Sequence, residues 1–406
     1  MLFKFFGKKH KKEDFLVLDI GTTCTKVYYL NIPGTDSNEK EKFFVKDHLV
    51  LENECEIFDK DFLENLEKIK KIIEAKNEIN EIKYIVFVVS GRHSFGKGNY
   101  FLYERKNPQR RIDNDEMNDI LEIASKKVFV RPIGSIFKFR ADEFDVINTI
   151  VTDLEIDHEK SESIVGKQGK VVKIGIYNSF ASKEILELFE RIADVLNSEI
   201  ESIVPSGFSI FKVLDQSSIT EKEKKDYLLI NMGFSSSEVT LIKNGLVLEN
   251  WSIEIGTKDL ENAMSSSLDV NSGIIHSLIL GSGGKEMKHY QNKKIVESIS
   301  ESFLNTILSA IETYLEEIED LEKVKINKNI TLYFYGGFSE TWLFQKSIEK
   351  SKMVNYGFKS VVLFPKNVNL GLKFDGRKIF STLDTSSIAA MSFFCNFLMD
   401  RNESEK

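Results

Sequence analysis

The sequence predicts a duplicated α/β fold, two lobes facing a shared cleft, with a small α+β unit set into the first lobe. Three observations predict it. A pattern of strand, glycine- and hydroxyl-bearing turn, strand and strand occurs twice, at 15–51 and at 227–253. A third glycine turn, Gly336-Gly337-Phe338-Ser339, follows another apolar strand. Between the two copies runs a series of short alternating strands and helices that belongs to neither. An internal repeat constrains the whole topology, so it outweighs any one local signal.

The elements follow in order. Residues 15–18, 27–30 and 43–51 are β-prone. Phe62, Leu63, Leu66, Ile69, Ile72 and Ile73 recur at the helical period, with lysine and glutamate between them, and predict a helix. Residues 84–89 are an uninterrupted β-prone run, as expected of a strand buried on both faces. The middle stretch begins at Ser90. It offers a β-prone 100–103 and a helix opened by Asp113, with Glu116 in the capping-box position. Strands at 146–154 and 170–177, a polar loop at 156–169 and a helix at 183–196 complete it. The second copy has strands at 227–230, 238–243 and 246–253. Asn244-Gly245 joins the last two as a hairpin, since both central positions of a type I′ turn take positive φ. Residues 257–320 read as largely helical, and Val296, Ile299, Phe303, Ile307, Ile311, Tyr314 and Ile318 share one face. A strand at 330–335 leads into the third turn and a helix near Thr341.

This divides the chain into an amino-terminal segment at 1–12, a first lobe at 13–84 and 182–220, and an insert at 85–181. A second lobe covers 221–400, with a helical insert at 257–325, and a polar tail occupies 401–406. The 406 residues suffice for two lobes of ordinary size. A net charge of -8 gives no reason to expect a nucleic-acid partner. Cys24, Cys55 and Cys395 lack metal-ligand spacing and fit a reducing cytoplasm. No apolar run approaches the ~20 residues of a membrane-spanning helix. The six histidines are scattered and read as structural, and Asp259 and Glu261 read as a solvated helix face.

Three turns carry the chemistry. In the first, Asp19 closes a strand, Gly21 permits the turn, Thr22 and Thr23 add hydroxyls, and Lys26 adds positive charge. Backbone N–H groups and hydroxyls in such a turn hold phosphate oxygens. A carboxylate at its base holds magnesium, usually through water. The second turn offers Asn231, Gly233, Ser235 and Ser236 from the other half. In the third, Gly336, Gly337 and Ser339 let an adenosine approach the backbone. Each turn alone is a common hairpin; three in order predict an ATP site.

Residues 1–12, MLFKFFGKKHKK, are separate. Leu2, Phe3, Phe5 and Phe6 are apolar, Lys4, Lys8 and Lys9 are basic, and acids are absent. The charges mostly follow the apolar residues, which is the reverse of a signal peptide. The expected role is a foot on an anionic membrane, where each lysine contributes about 1 kcal/mol.

The turns as a set resemble the actin-like ATPase superfamily, a duplicated ribonuclease H-like fold. DIGTTCTK at 19–26, NMGFSSSEVTLIKNG at 231–245 and YGGFSETWLF at 335–344 are similar to its first phosphate, second phosphate and adenosine loops. FSTLDTSSIAAMSFF at 380–394 resembles its closing helix. An insert after residue 89 resembles the SHS2-type subdomain of the FtsA and PilM families, and the glycine-basic-glycine stretch at 165–170 is similar to an FtsA loop. The resemblance implies an ATP- and magnesium-binding scaffold that self-associates into filaments. It would hold the FtsZ carboxy-terminal tail at the inner face of the cell membrane. A PilM-like pilus component is the alternative, and a small-molecule kinase on the same fold a remoter one. The family's second phosphate loop begins with aspartate, where this chain has Asn231. Loss of that charge implies weak ATPase activity at most.

Overall fold

A computed structural model describes residues 13–32, 43–52, 59–128, 141–161, 163–216, 226–280, 292–375 and 381–404. The expected membrane foot at 1–12 lies outside the described residues.

In the first half, β1 (Glu13–Ile20), β2 (Cys24–Ile32) and β3 (Phe43–Glu52) form an antiparallel meander. On the other side of β1, β4 (Tyr84–Val89) and β9 (Glu199–Pro205) add in parallel, giving the order β3-β2-β1-β4-β9. In the second half, β10 (Tyr227–Met232), β11 (Ser237–Lys243) and β12 (Leu246–Ile253) repeat the meander. There β13 (Asn329–Tyr335) and β14 (Gly357–Val362) add in parallel, giving β12-β11-β10-β13-β14. The duplication expected from the sequence is therefore a duplication of topology. Asn244 and Gly245, at φ 52 and 77, make the tight turn between β11 and β12.

Each meander ends in an open strand edge, which is a template for unwanted pairing. Both are covered. The short β15 (Leu372–Phe374) pairs with β3. On the other side β5 (Ser94–Glu104), the first strand of the insert, pairs with β12 through Glu249↔Lys97 and Asn250↔Gly96. The insert sheet continues through β8 (Val171–Ser182), β6 (Phe144–Ile156) and β7 (Glu159–Lys160). So the insert, which leaves the chain after β4 of the first half, is one sheet with the second half. Lys97 Nζ donates to Glu249 Oε1 at 2.5 Å, and Tyr314 OH donates to the other oxygen. Both charged side chains are almost fully buried.

The helices fill the layers between and around the sheets. Periodic apolar residues place α1 (Lys60–Lys76) and α3 (Lys183–Val195) on the outer face of the first sheet. On the second, α5 (Thr257–Leu268), α6 (Ser272–Leu280), α7 (Lys293–Glu322) and α8 (Trp342–Lys350) do the same. Between the two sheets sit α4 (Ser206–Gln216) and α9 (Thr385–Ser404). Phe208, Phe211, Ile388, Met391 and Phe394 share one core with Phe15, Tyr28, Tyr227 and Tyr335 from both halves. The helix α2 (Asn114–Val128) packs on the insert sheet through Ile120 and Ala124 against Val172, Ile174 and Ile176.

Two local expectations change. Asp113 does cap α2, accepting from the Glu116 N–H at 2.9 Å. The Glu116 carboxylate, however, is held by the buried Arg105 guanidinium through both oxygens, at 2.7 and 2.9 Å, and this holds Glu116 below the usual carboxylate range. The residues read as a polar tail continue α9 as far as Ser404.

Removing one partner of a buried ion pair strands the other, at a cost of about 3–5 kcal/mol. Lys97→Ala is therefore expected to destabilise the chain by about that amount in denaturant unfolding. A change within experimental error would mean that the ladder and not the ion pair joins the insert to the second half.

Candidate functional site

The first turn joins β1 to β2 and is closed by the Gly21 N–H bonding to Cys24 O at 3.0 Å. Asp19, at the end of β1, is buried. Its Oδ2 accepts from Lys26 Nζ at 3.0 Å, Ser386 Oγ at 3.1 Å and Ser387 Oγ at 2.5 Å. All three bonds fall on one oxygen, and Asp19 also lines the cleft. Lys26 also donates to Leu383 O at 2.6 Å. Burial opposes the lysine charge, but Asp19, Cys24 and Asp384 outweigh it and hold Lys26 above its ordinary pKa. Burial pushes the Cys24 thiol up.

The second turn joins β10 to β11. Asn231 at the end of β10 lies directly across the ladder from Glu238. Glu238 is almost wholly buried. It accepts from Ser206 Oγ at 2.7 Å and Asn250 Nδ2 at 2.9 Å, and the Gly91 backbone and the Asn231 side chain also favour its charged form. Burial pushes its carboxyl up, against the pull of those bonds. The carbonyls of Gly233 and Phe234 accept from the Thr257 and Lys258 N–H groups at 3.0 and 2.9 Å, so this turn also caps α5.

The third turn follows β13. Gly336 has φ 89, in the left-handed region. A Cβ there would stand 2.7 Å from both Asn231 Oδ1 and Met232 O, so the second and third turns touch at this glycine. A single 3₁₀ turn, Gly337–Glu340, intervenes before Thr341 caps α8 by accepting from the Phe344 N–H at 3.2 Å. The segment before α9 ties this turn to the first one. Gly336 N–H donates to Thr382 O at 3.2 Å, and Thr382 Oγ1 donates to Gly336 O at 2.9 Å.

The three turns line one cleft. Asp19, Gly21, Thr22, Thr23, Lys26, Asn231, Gly233, Ser235, Ser236, Gly336 and Gly337 all face it. Ser339 does not. It is fully buried and donates to Gly336 O at 2.7 Å, which makes it a brace within the turn. The cleft also includes residues that sequence reasoning did not place there. Arg92 and His93 reach it from the start of the insert. Glu261 on α5 and His276 on α6 form a pair at 2.6 Å and both line it. Glu261 is buried and not part of a solvated face, and His93 and His276 are not scattered bystanders. Asp259 caps α5 by accepting from the Gly256 N–H at 2.9 Å.

The cavity is about 160 Å³. Ligand pockets generally offer about 300–1,000 Å³. Thr22 Oγ1 and Ser235 Oγ stand 2.9 Å apart and close the space between the first two turns.

No family model matches the sequence, and no curated protein matches it either. Solved structures do match over nearly the whole chain. A chain of a PilM–PilN type IV pilus biogenesis complex aligns with a TM-score of 0.57 at 13% identity, covering 97% of this chain and 99% of that one. The chain has the actin-like ATPase fold. More distant matches are the ethanolamine utilization protein EutJ of Carboxydothermus hydrogenoformans and MreB 5 of Spiroplasma citri bound to AMPPNP. EutJ aligns at TM-score 0.45 and 8% identity, over 95% of this chain and 92% of that one. MreB 5 aligns at 0.47 and 10%, over 97% and 99%.

The donor set fits a nucleotide better than a free metal ion. Among the described residues no cluster of three His, Cys, Asp or Glu side chains stands ready for a metal. Asp19, which lines the cleft, would take a magnesium ion through water only if phosphates supplied the remaining ligands.

Gly336→Ala is expected to cost more stability than Gly371→Ala. Both positions have positive φ, but a Cβ at Gly371 meets nothing within 4 Å. The strain common to both is about 1–2 kcal/mol, and the clash adds to it only at Gly336. Equal melting temperatures for the two variants would refute the contact between the second and third turns.

Proposed function

We propose that this chain is an ATP-binding scaffold that opens and closes around its nucleotide, with slow or no hydrolysis. The observation that carries it is the convergence of three glycine turns, from both halves of the duplication, on one cleft. Thr22, Thr23, Ser235 and Ser236 would hold the phosphates, and Lys26 would supply positive charge. Asp19 would hold magnesium through water. Gly336 and Gly337 would admit the adenosine. When bound, ATP with magnesium would supply a charged bridge between turns that now touch through one hydroxyl pair. Asn231 presents an amide where a carboxylate would steady magnesium and orient an attacking water, which supports slow turnover.

For the partner, the end-to-end fit to PilM, seen in a complex with PilN, supports a pilus-type membrane protein tail. The second reading is the division adaptor, supported by the loop at 165–170 and its likeness to FtsA. Both readings place the protein on the inner face of the membrane, with residues 1–12 as its foot and self-association multiplying a weak contact.

The test is fluorescence anisotropy with two labelled peptides from the same organism, a tail segment of PilN and the FtsZ carboxy terminus, in magnesium-ATP. Saturable binding of the PilN peptide alone is expected. Binding of the FtsZ peptide alone would transfer the protein to the division ring, and binding of neither would remove both partner readings. Deleting residues 1–12 is expected to release the protein from anionic liposomes; unchanged pelleting would place the foot elsewhere.

A further inference from the structure

Glu238 is a buried acid that the nucleotide reading does not use. It lies on β11, one strand behind the second turn, and its surroundings are unusual for a carboxylate in a core. Each of its two oxygens accepts a direct hydrogen bond, and two further polar groups favour its charged form. These partners come from Ser206 at the start of α4, Asn250 on β12, the Gly91 backbone at the start of the insert and Asn231 at the end of β10. A buried carboxyl group persists only when polar partners surround it in this way. The four partners belong to α4, the second sheet, the insert and the candidate site itself.

We propose that Glu238 is the positioning residue of the second turn, and that Asn231 is an amide because Glu238 is an acid. Residues 231 and 238 face each other across an antiparallel ladder. Two acids directly opposite each other repel, the more so when buried. An aspartate at 231 would set a second carboxylate against the first. An asparagine instead faces Glu238 across the ladder without adding a second charge, and sets its Oδ1 beside Gly336. The amide is thus set between the carboxyl group behind it and the third turn in front. The acid of this half sits behind the tip of the turn, where it aligns the strand, and not at the tip, where it would face phosphate. Ser236 is drawn in by the same arrangement, since its Oγ would lie 3.0 Å from a Cβ on Gly91. The relation is reciprocal: one acid and one amide are needed, and their order can be exchanged.

This inference rests on the nucleotide reading for its functional half only, so the test separates the two. Four proteins are compared: wild type, Glu238→Gln, Asn231→Asp and the double exchange Asn231→Asp/Glu238→Gln. Melting temperature without nucleotide and affinity for magnesium-ATP are measured on each. Each single variant should melt lower and bind about tenfold more weakly, as loss of a hydrogen bond to a charged group entails. The double exchange should recover most of both. If a single variant does not fold, recovery of folding in the double exchange is the readout. A double exchange no better than the worse single variant would overturn the pairing. Recovered melting without recovered affinity would reduce Glu238 to a structural brace and overturn its positioning role. Wild type that binds no nucleotide would sink the nucleotide reading, while the melting series would still decide the pairing.

Discussion

The structure depends on one buried carboxylate oxygen. Asp19 Oδ2 gathers Lys26 from the neighbouring strand and Ser386 and Ser387 from the last helix. The two serine bonds join residues 367 and 368 positions apart in the chain. They fix the first turn to α9, which packs with α4 between the two sheets. Lys26 extends the link to Leu383, and Thr382 carries it on to the third turn. A lone buried carboxylate would cost several kcal/mol; with a cation and two hydroxyls it becomes the point at which both halves are registered.

Around that point the molecule uses each half to finish the other. The open edge of the first meander is closed by β15 from the end of the chain. The open edge of the second is closed by β5 from the insert. The insert is therefore more than an appendage to the first half. It is bonded to the second through a two-residue ladder and the Lys97–Glu249 ion pair, and its first residues reach the candidate cleft at Arg92 and His93.

The fold was largely legible because its signals are local and repeated. Strand, glycine, hydroxyls and strand recur at Asp19–Lys26 and at Asn231–Lys243, and a period-3.6 pattern marks α1, α3 and α7. The cleft was legible at its turns for the same reason. What escaped is long-range. Nothing near Ser386 and Ser387 says that Asp19, on the far side of the sequence, needs their hydroxyls. Glu261 and His276 lie on adjacent helices, and polar residues on a helix most often face water. Glu238 did leave a signal: an acid within the otherwise apolar and hydroxylic strand SEVTLIK can be buried only if donors surround it. Ser339 was misplaced because a hydroxyl beside a glycine turn serves equally well as ligand or as brace.

The central claim is that the three turns form one nucleotide site organised by Asp19. The most direct test is a calorimetric titration of magnesium-ATP into the wild-type chain and into Asp19→Asn, with circular dichroism confirming that the variant is folded. The account predicts saturable binding of one nucleotide per chain and at least a tenfold loss of affinity in the variant, or about 1.4 kcal/mol. No saturable heat in the wild type, or equal affinity in a folded variant, would contradict it.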